Sequence, residues 1–392
     1  MFFRQILHED LGCASYVVAD GGDAIELGNV RIVALATPGH RPEHLAFVVE
    51  DRSRGERAWL ALTGDSLFVG DVARPDLAIE PREGARGLYA SARKLLELDD
   101  FAEVWPGHIG GSLCGGGGMS EKPGSTIGFE RRFNPLLRVA GEDEFVRELA
   151  SELEPQPPNF ERIVELNRGP LVTESAPVQP LAPQRVHELL EAGAVLVDGR
   201  DPREFDAEHV PGSINVTMTK SAVGTRAAWV VDAETEVVVL GGSDADAAPL
   251  TRMLEAVGFR RLRGYLSGGI AAWREAGLEV ATTPAIDVHG LAERLRRDEV
   301  VLLDVRDDDE WGQGHVEGSL HVPYYELRDG APAEVREAAK PIVVACSAGN
   351  RSSLAASLLR RAGIHDLVHV ADGGVADLEG EGVELVRAES PF

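Results

Sequence analysis

Apolar runs alternate with helical patterns through the C-terminal half of the chain. The run from Pro341 to Ala345 predicts a buried strand, and the pattern from Ser353 to Ala362 predicts a helix. Helical patterns also cover Val186 to Ala192 and Leu291 to Arg297, each beside short apolar strands. This alternation is typical of an α/β domain with a parallel sheet.

The same half of the chain contains an internal repeat. Residues 195–216 align without a gap with residues 301–322, and after a one-residue slip the match pairs Gly258 with Gly363. A repeat of this length predicts two copies of one domain. We place the first copy at 180–280 and the second at 286–392.

The segment from Cys346 to Ser352 joins the predicted strand to the predicted helix of the second copy. A cysteine there faces free backbone N–H groups, the positive end of the helix dipole and the Arg351 guanidinium, all of which favour a thiolate. Cys346 is therefore a candidate nucleophile. In the first copy Gly241 stands opposite Cys346 and Asp246 opposite Arg351, so we expect that copy to be inactive.

The N-terminal part places polar residues just past apolar strand patterns. His40 follows the strand pattern Val30 to Ala36, Asp65 follows Ala58 to Ala61, and His108 closes a third apolar segment. Side chains at successive strand ends can assemble a metal site at one edge of a sheet.

The repeat resembles the rhodanese (sulfurtransferase) family in its Asp-x-Arg pairs, its Gly-His-x-x-Gly-Ser segment and its loop from Cys346 to Arg351. The resemblance implies that Cys346 carries a sulfane sulfur as a persulfide and that Arg351 stabilises substrate and persulfide. The loop amides would come from Ser347, Ala348, Gly349 and Asn350. A cysteine phosphatase, whose loop is usually one residue longer, and a silent structural cysteine are the alternatives.

Three further residues of the repeat have a structural interpretation. An Asp-x-Arg pair that ends a strand usually fixes a neighbouring loop, so Asp304, Arg306 and His315 are expected to be structural. His365 and His369 share i, i+4 spacing, but they lie in a loop-strand segment without the glutamate of a helical zinc motif.

Residues 1–168 resemble the metallo-β-lactamase superfamily in these strand-end segments. GDVARPDL (70–77) and STIGFERRFN (125–134) resemble its persulfide dioxygenase branch, which is often fused to rhodanese domains. The resemblance implies an α/β chain, with a truncated αββα domain, shortened near residues 20–23, before two rhodanese-like domains with parallel sheets. Those relatives hold one Fe(II) with two histidines and a carboxylate.

One departure from that family affects the metal. The His-x-His-x-Asp-His motif is absent, so His40 and Asp65 remain as an incomplete site, with His108 as a further candidate and His44 or His8 as substitutes. We therefore expect weak Fe(II) binding, with Zn as the other candidate ion.

The remaining residues to assign are one predicted substrate contact and two cysteines. Arg74 matches a segment that borders the thiol-persulfide pocket of the relatives, where it would contact an anionic carrier such as glutathione persulfide; a surface ion pair is the alternative. Cys114 is expected to be an exposed bystander because no basic partner adjoins it in sequence, and Cys13 is expected in the core.

The composition limits the classes of binding partner that we expect. The 392 residues carry a net charge of -26, which argues against nucleic acid and anionic membranes. Three scattered cysteines point to a reducing, cytoplasmic location. We expect a homodimer that acts on small persulfides, thiosulfate or sulfite.

The function predicted from the sequence is sulfur transfer through a Cys346 persulfide, linked to a persulfide dioxygenase-like domain that makes sulfite from a glutathione-type persulfide and O2. Two alternatives remain open. One is a stand-alone thiosulfate or persulfide sulfurtransferase with a vestigial metal domain, and the other is a non-enzymatic sulfur-carrier scaffold.

Overall fold

The protein divides into two compact units, Met1–Gln156 and Pro157–Phe392. The computed structural model describes residues 23–77, 79–110, 112, 114–116, 118–151, 155–160, 162–163, 177–219 and 223–387, and the backbone of 6–8 and 13–15. The side chains of Cys13 and His8, and most of the junction at residues 20–23, lie outside this range. Within it, no helix is long and apolar enough to cross a membrane.

The first unit is built on a six-stranded sheet, in the order β3-β4-β5-β6-β7-β8, and β1 and β2 form a separate antiparallel ribbon. The strands are β1 Ile6–His8, β2 Cys13–Ser15, β3 Ala24–Leu27, β4 Val30–Ala36, β5 Leu45–Asp51, β6 Ala58–Gly64, β7 Glu103–Pro106 and β8 Ser125–Thr126, and the helices are α1 Pro81–Leu95, α2 Ile127–Phe133 and α3 Glu142–Ser151. A 3₁₀ turn covers Leu136–Arg138.

The two faces of this sheet are covered differently. Ala46, Ala61 and Val104 point to one face, where they pack with Leu88 of α1 and Phe145 of α3 in the main core. The alternate strand positions form a small second cluster of Val49, Leu60 and Leu62, packed against half-buried aromatic and aliphatic side chains. Helices therefore cover one face of the described sheet.

Strand directions in this unit decide where its polar loops meet. β4 and β5 are antiparallel, as are β5 and β6, so β4 and β6 run the same way. β7 is parallel to β6. The C-terminal ends of β4, β6 and β7 thus lie at one edge of the sheet.

The second unit contains two five-stranded, all-parallel sheets with the same strand order. The first, β11-β10-β12-β13-β9, comprises β9 Pro180–Leu181, β10 Val195–Asp198, β11 Ile214–Asn215, β12 Val237–Leu240 and β13 Leu262–Leu266. Its helices are α4 Pro183–Glu191, α5 Pro202–Ala207, α6 Val223–Val230, α7 Ala247–Ala256 and α8 Gly269–Glu275, and a 3₁₀ turn covers Asp244–Asp246.

The second sheet has the order β14-β19-β18-β15-β17. Its strands are β14 Ala285–Asp287, β15 Val301–Asp304, β17 Leu320–His321, β18 Ile342–Ala345 and β19 Leu367–Asp372, and β16 His315–Val316 pairs with β20 Leu385–Val386. Its helices are α9 Val288–Arg296, α10 Asp308–Gln313, α11 Ala333–Arg336 and α12 Asn350–Arg361, with 3₁₀ segments at Tyr324–Asp329 and Val375–Glu379.

One hydrophobic core runs through both copies. Val239 and Ala227 of the first copy belong to the same buried cluster as Val344, Leu354 and Cys346 of the second. Trp229 of the first copy stacks on Tyr325 of the second, with ring centroids 4.6 Å apart. The two copies therefore share buried apolar surface, which stabilises their association.

Candidate active site

The Cys346 loop lies between the central strand β18 and helix α12. The helix begins at Asn350, three residues before the pattern that predicted it. Gly349 precedes it with φ 85°, a left-handed conformation that favours glycine. Cys346 is buried, 2% exposed. The first N–H groups of α12 have no acceptor within the helix, so they are available at the end of the loop.

The glycine-rich turn after β19 packs directly against the backbone of this loop. The Val375 N–H donates to the Cys346 carbonyl at 2.9 Å. A Cβ added to Gly374 would lie 2.3 Å from the Ser347 carbonyl oxygen. Only glycine lets the two backbones approach this closely.

Arg351 is held by acidic side chains. Its guanidinium donates to Asp307 at 2.5 Å and to both carboxylate oxygens of Glu310, and one Nη donates to Ser347 Oγ at 3.0 Å. Burial opposes its charge, but the hydrogen bonds and charge of Glu310 and the charge of Asp307 raise the pKa of Arg351. The structure thus places Arg351 at the loop in ion pairs; its contact with substrate stays a prediction.

Arg226, on α6 of the first copy, lies in the electrostatic surroundings of Cys346. Burial lowers the pKa of Arg226 and the Arg351 charge adds to this effect, whereas Tyr324 and Cys346 oppose it. Its Nη1 is buried and has no hydrogen-bond partner among the described residues. No sequence pattern predicted this proximity, because Arg226 is 120 positions from Cys346.

Three further side chains extend from the sulfur into the protein. Cys346 Sγ lies 3.3 Å from Ser352 Oγ, and Ser352 Oγ lies 3.0 Å from His369 Nε2. His369 Nδ1 lies 2.7 Å from Asp206 Oδ2 of α5, in the first copy. Ser352 and His369 are fully buried, and Asp206 is 5% exposed. The sequence analysis identified none of these three as a site residue.

A second cluster occupies the sheet edge of the first unit. His40 follows β4, Asp65 follows β6 and His108 follows β7, as the strand-end pattern predicted. His40 Nε2 is 3.7 Å from Asp65 Oδ2, and His108 Nε2 is 3.2 Å from Asp65 Oδ1. His44 Nε2 accepts a hydrogen bond from the Asp65 N–H at 2.8 Å, so it orients the loop that carries Asp65.

Cys114 is half-buried and belongs to this cluster, so the prediction of an exposed bystander is wrong. Its Sγ and the ligand atoms of His40 and Asp65 all lie within 4.8 Å of one another. Burial raises the pKa of the Cys114 thiol, but hydrogen bonds from His108 and His40 outweigh this effect and lower it to about 6. Chain folding places this thiol beside His40 and His108, although no sequence pattern predicted a contact between its loop and these residues.

The histidines of the cluster favour the ionised forms of Asp65 and Cys114. Burial alone raises the pKa of Asp65, but the hydrogen bond and charge of His108 and the charge of His40 lower it overall. Burial lowers the pKa of His40, and its contacts with Cys114 and Asp65 raise it overall. His40 Nδ1 lies 2.9 Å from the Arg74 carbonyl, which orients Nε2 towards Asp65.

This donor set can hold one divalent ion. Imidazole, carboxylate and thiolate are all ligands that Zn²⁺ accepts. His40 and Asp65 were the two ligands predicted from the sequence; Cys114 provides a third donor, with His108 beside it. The group of His40, Asp65 and Cys114 is not the two-histidine, one-carboxylate set expected for Fe(II).

Arg74 is buried beside this cluster, 5% exposed. Its Nε and Nη2 donate to the Asp76 carboxylate at 2.7 and 2.8 Å. These donors are therefore already bound within the protein, and a role for Arg74 in substrate binding stays a prediction.

The two halves of the chain are similar to different known proteins. A family described as rhodanese-like domain matches residues 182–276 and 287–381. The chain contains two rhodanese-like domains. The crystal structure of a metallo-β-lactamase from Staphylococcus aureus matches with a TM-score of 0.54 and 25% identity over 64% of this chain and 69% of that one. The part before the rhodanese-like domains has a metallo-β-lactamase-like fold.

Curated relatives match short segments. A Mycobacterium tuberculosis protein is 38% identical over 116 residues, which are 30% of this chain and 45% of that protein. The mitochondrial persulfide dioxygenase of Bos taurus is 30% identical over 150 residues, which are 38% of this chain and 51% of that protein. The chain thus spans about half the length of these relatives.

The Asp-x-Arg pairs of the rhodanese-like domains are structural, as predicted. In each copy the arginine Nη2 donates at 2.6 Å to the aspartate two positions before it and at 2.8 Å to a backbone carbonyl eight residues further on. The pairs are Asp198 with Arg200 and Asp304 with Arg306, and the carbonyls belong to Glu208 and Gly314. His315 stacks on Trp311, with ring centroids 3.8 Å apart.

In the first rhodanese-like domain, the Asp246 side chain occupies the loop that corresponds to the Cys346 loop. Asp246 Oδ2 accepts a hydrogen bond from the Ser243 N–H at 2.8 Å. A Cβ at Gly241, the position of Cys346, would lie 2.4 Å from the Asp246 Cβ. A cysteine would not fit there without movement, which supports the prediction that this copy is inactive.

Proposed function

We propose that the protein is a sulfurtransferase in which Cys346 carries a sulfane sulfur between an anionic donor and a nucleophilic acceptor. The observation that carries this proposal is the position of Cys346, buried at the end of β18 and directly before the N-terminus of α12. The match of both copies to rhodanese-like domains supports the reaction class.

The buried, unpartnered Nη1 of Arg226 favours an anionic donor, of which thiosulfate is the simplest. The Cys346 thiolate attacks the outer sulfur of thiosulfate, the sulfur–sulfur bond of the donor breaks, and sulfite leaves with the electron pair. The persulfide anion then rests near the N–H groups at the start of α12. An acceptor such as cyanide attacks its outer sulfur, which gives thiocyanate and restores the thiolate.

The test is thiosulfate-dependent thiocyanate formation by the full chain. We expect activity in the wild type and none in Cys346→Ser, because oxygen is too poor a nucleophile and carrier for this exchange. Ser243→Ala, in the cysteine-free loop of the first copy, should retain activity. Mass spectrometry after incubation with thiosulfate should show one added sulfur atom on Cys346. An unmodified Cys346 together with wild-type activity in Cys346→Ser would falsify the proposal.

For the first unit, we propose that His40, Asp65 and Cys114 bind one Zn²⁺ and that the unit acts on a small thiol-derived substrate such as a persulfide. The similarity to the persulfide dioxygenase of Bos taurus supports the substrate class. The ion would polarise a sulfur or oxygen atom of the substrate. His108, in hydrogen-bond contact with Cys114, can hold or release a proton next to that atom.

Metal content and oxygen uptake test this second proposal. We expect about one Zn²⁺ per chain, lost in His40→Ala and in Cys114→Ser, with retention in His187→Ala, an exposed histidine of the second unit. Persulfide-dependent O2 consumption with stoichiometric iron would instead show that the dioxygenase reaction operates with iron. Purified protein without any bound metal would exclude the metal site itself.

A further inference from the structure

The side chains behind Cys346 form a continuous line of hydrogen-bond contacts that crosses from one copy to the other. The distances are 3.3 Å from Cys346 Sγ to Ser352 Oγ, 3.0 Å from there to His369 Nε2, and 2.7 Å from His369 Nδ1 to Asp206 Oδ2. All four residues are buried. A buried carboxylate and imidazole need partners. Asp206 Oδ2 pairs with His369 Nδ1, whereas Asp206 Oδ1 has no hydrogen-bond partner among the described residues.

The acceptors around His369 allow two hydrogen-bond arrangements. Asp206, when ionised, only accepts, so Nδ1 carries a hydrogen. Nε2 faces both the Ser352 hydroxyl at 3.0 Å and the Gly349 carbonyl at 2.9 Å. A neutral ring accepts from Ser352 through Nε2, whereas a protonated ring donates to the Gly349 carbonyl. The ring can therefore gain one proton without leaving a buried group unpaired.

We propose that Asp206 of the cysteine-free copy is a positioning residue of the Cys346 site, and that it acts through His369 and Ser352 as the inner end of a proton relay to the sulfur. This inference rests on the proposed role of Cys346 as the sulfur-carrying nucleophile.

The relay moves one proton inwards. The Cys346 S–H bond breaks as its proton passes to Ser352 Oγ, and the Ser352 hydroxyl proton passes to His369 Nε2, where an N–H bond forms. The products are a thiolate that accepts a hydrogen bond from Ser352, and an imidazolium paired with the Asp206 carboxylate. The number of protons and the net charge are unchanged. Because the imidazolium is nearer to the sulfur than Asp206 is, its pairing favours the thiolate.

Other charged groups face the sulfur from neighbouring elements and remain in place in the variants below. Arg351 belongs to α12 and Arg226 to α6, while Asp307 and Glu310, at the start of α10, pair with Arg351. Tyr324 lies on the 3₁₀ segment Tyr324–Asp329 and interacts with Arg226. None of these hydrogen bonds to His369 or Asp206 in the described part of the chain, so the relay can be changed separately.

The two copies have diverged in a complementary way at the relay positions. With the repeat alignment, Asp206 of the first copy stands opposite Gly312, whereas Ser352 and His369 of the second copy stand opposite Ala247 and Gly264. The three side chains behind the sulfur therefore occur once and are divided between the copies: the carboxylate lies in the first, and the serine and histidine lie in the second. Neither copy contains the whole line alone.

The experiment is the pH dependence of Cys346 alkylation by iodoacetamide in the full chain, located by peptide mass spectrometry. In Asp206→Asn and in His369→Gln we expect the pH midpoint of alkylation to rise by about one unit. The double variant should match His369→Gln, because Asp206 acts only through the ring. Glu204→Gln, an exposed charge loss on the same helix α5, should leave the midpoint unchanged.

A purely structural role for Asp206 gives a different result. In that case Asp206→Asn lowers the melting temperature, while the alkylation midpoint stays at or below that of the wild type, and the proposal is overturned. Histidine ¹⁵N NMR of the wild type provides a test without substitutions. We expect His369 to change from imidazolium to neutral imidazole when Cys346 is alkylated; an unchanged ring overturns the relay.

These measurements do not depend on sulfur transfer. If thiosulfate activity is absent but the midpoint responds to Asp206, the proposed function fails and the relay stands. If activity is present but the alkylation midpoint is unchanged in Asp206→Asn and His369→Gln, the relay fails and the function stands.

Discussion

Two guanidinium groups lie near Cys346, and their hydrogen bonds differ. Arg351 is engaged by the carboxylates of Asp307 and Glu310, which neutralise much of its charge. Arg226 retains a buried Nη1 without a partner among the described residues. A buried donor without an acceptor costs about 1–3 kcal/mol, and an anionic substrate would satisfy it. At the residue scale, Arg226 is therefore the group that we propose for binding an anionic substrate in this strongly acidic protein.

This difference leads to a prediction for Arg226→Gln. Loss of one charge-assisted hydrogen bond, about 1.5–3 kcal/mol, should raise KM for thiosulfate by about 10- to 100-fold with a smaller change in kcat. Steady-state kinetics of the full chain measures both constants. Arg252→Gln, an exposed arginine of the same copy, is the control and should behave as wild type. An unchanged KM in Arg226→Gln would show that the substrate binds elsewhere.

At the scale of elements, the shape of the Cys346 loop depends on the turn beneath it. The loop cannot be fixed by helix α12 alone, since its carbonyls at Cys346 and Ser347 pack directly on the Gly374 backbone. The turn after β19 belongs to a different part of the sequence, so loop geometry is a property of the sheet edge and not of the local segment.

Gly374→Ala tests this packing. The added methyl group would lie 2.3 Å from the Ser347 carbonyl, so the loop must move, at a cost of about 1–3 kcal/mol. We expect kcat/KM for thiosulfate to fall more than about tenfold, because small displacements of a nucleophile are costly. Urea denaturation measures the stability change. Gly314→Ala, where the nearest atom is 3.5 Å from the new Cβ, should be close to wild type in both measurements.

At the scale of the whole molecule, the second unit is one compact unit made of two repeats. The shared cluster includes buried residues from both sheets and from the helices between them. The copy without a cysteine covers apolar surface of the copy that contains Cys346, and it carries Arg226 and Asp206.

Trp229→Ala should weaken both copies together. Truncation of this half-buried indole removes its stacking on Tyr325 and leaves a cavity, at a cost of about 2–4 kcal/mol. Hydrogen exchange followed by mass spectrometry should show faster exchange in β12 of the first copy and in β18 of the second. Faster exchange confined to β12 would mean that the two copies unfold independently.

Much of the fold was predictable because it depends on local patterns. Period and spacing identified the repeat and the strand before Cys346. Resemblance of the motifs to known families indicated the metallo-β-lactamase-like and rhodanese-like classes, which the comparisons confirm. The strand ends that carry His40, Asp65 and His108 were also correctly placed at one sheet edge. The predicted dimer, cellular location and sulfur carrier stay predictions.

Contacts between distant segments were not predictable in this way. His369 and Asp206 are 163 positions apart, and Cys114 reaches His40 from a glycine-rich loop without periodic pattern. The sequence by itself determined which segments form strands and helices and which copy keeps a cysteine, since these follow from local periodicity and residue identity. Only the tertiary structure decided which side chains surround that cysteine and the metal-site histidine, because sheet order and the packing of one copy on the other set those distances.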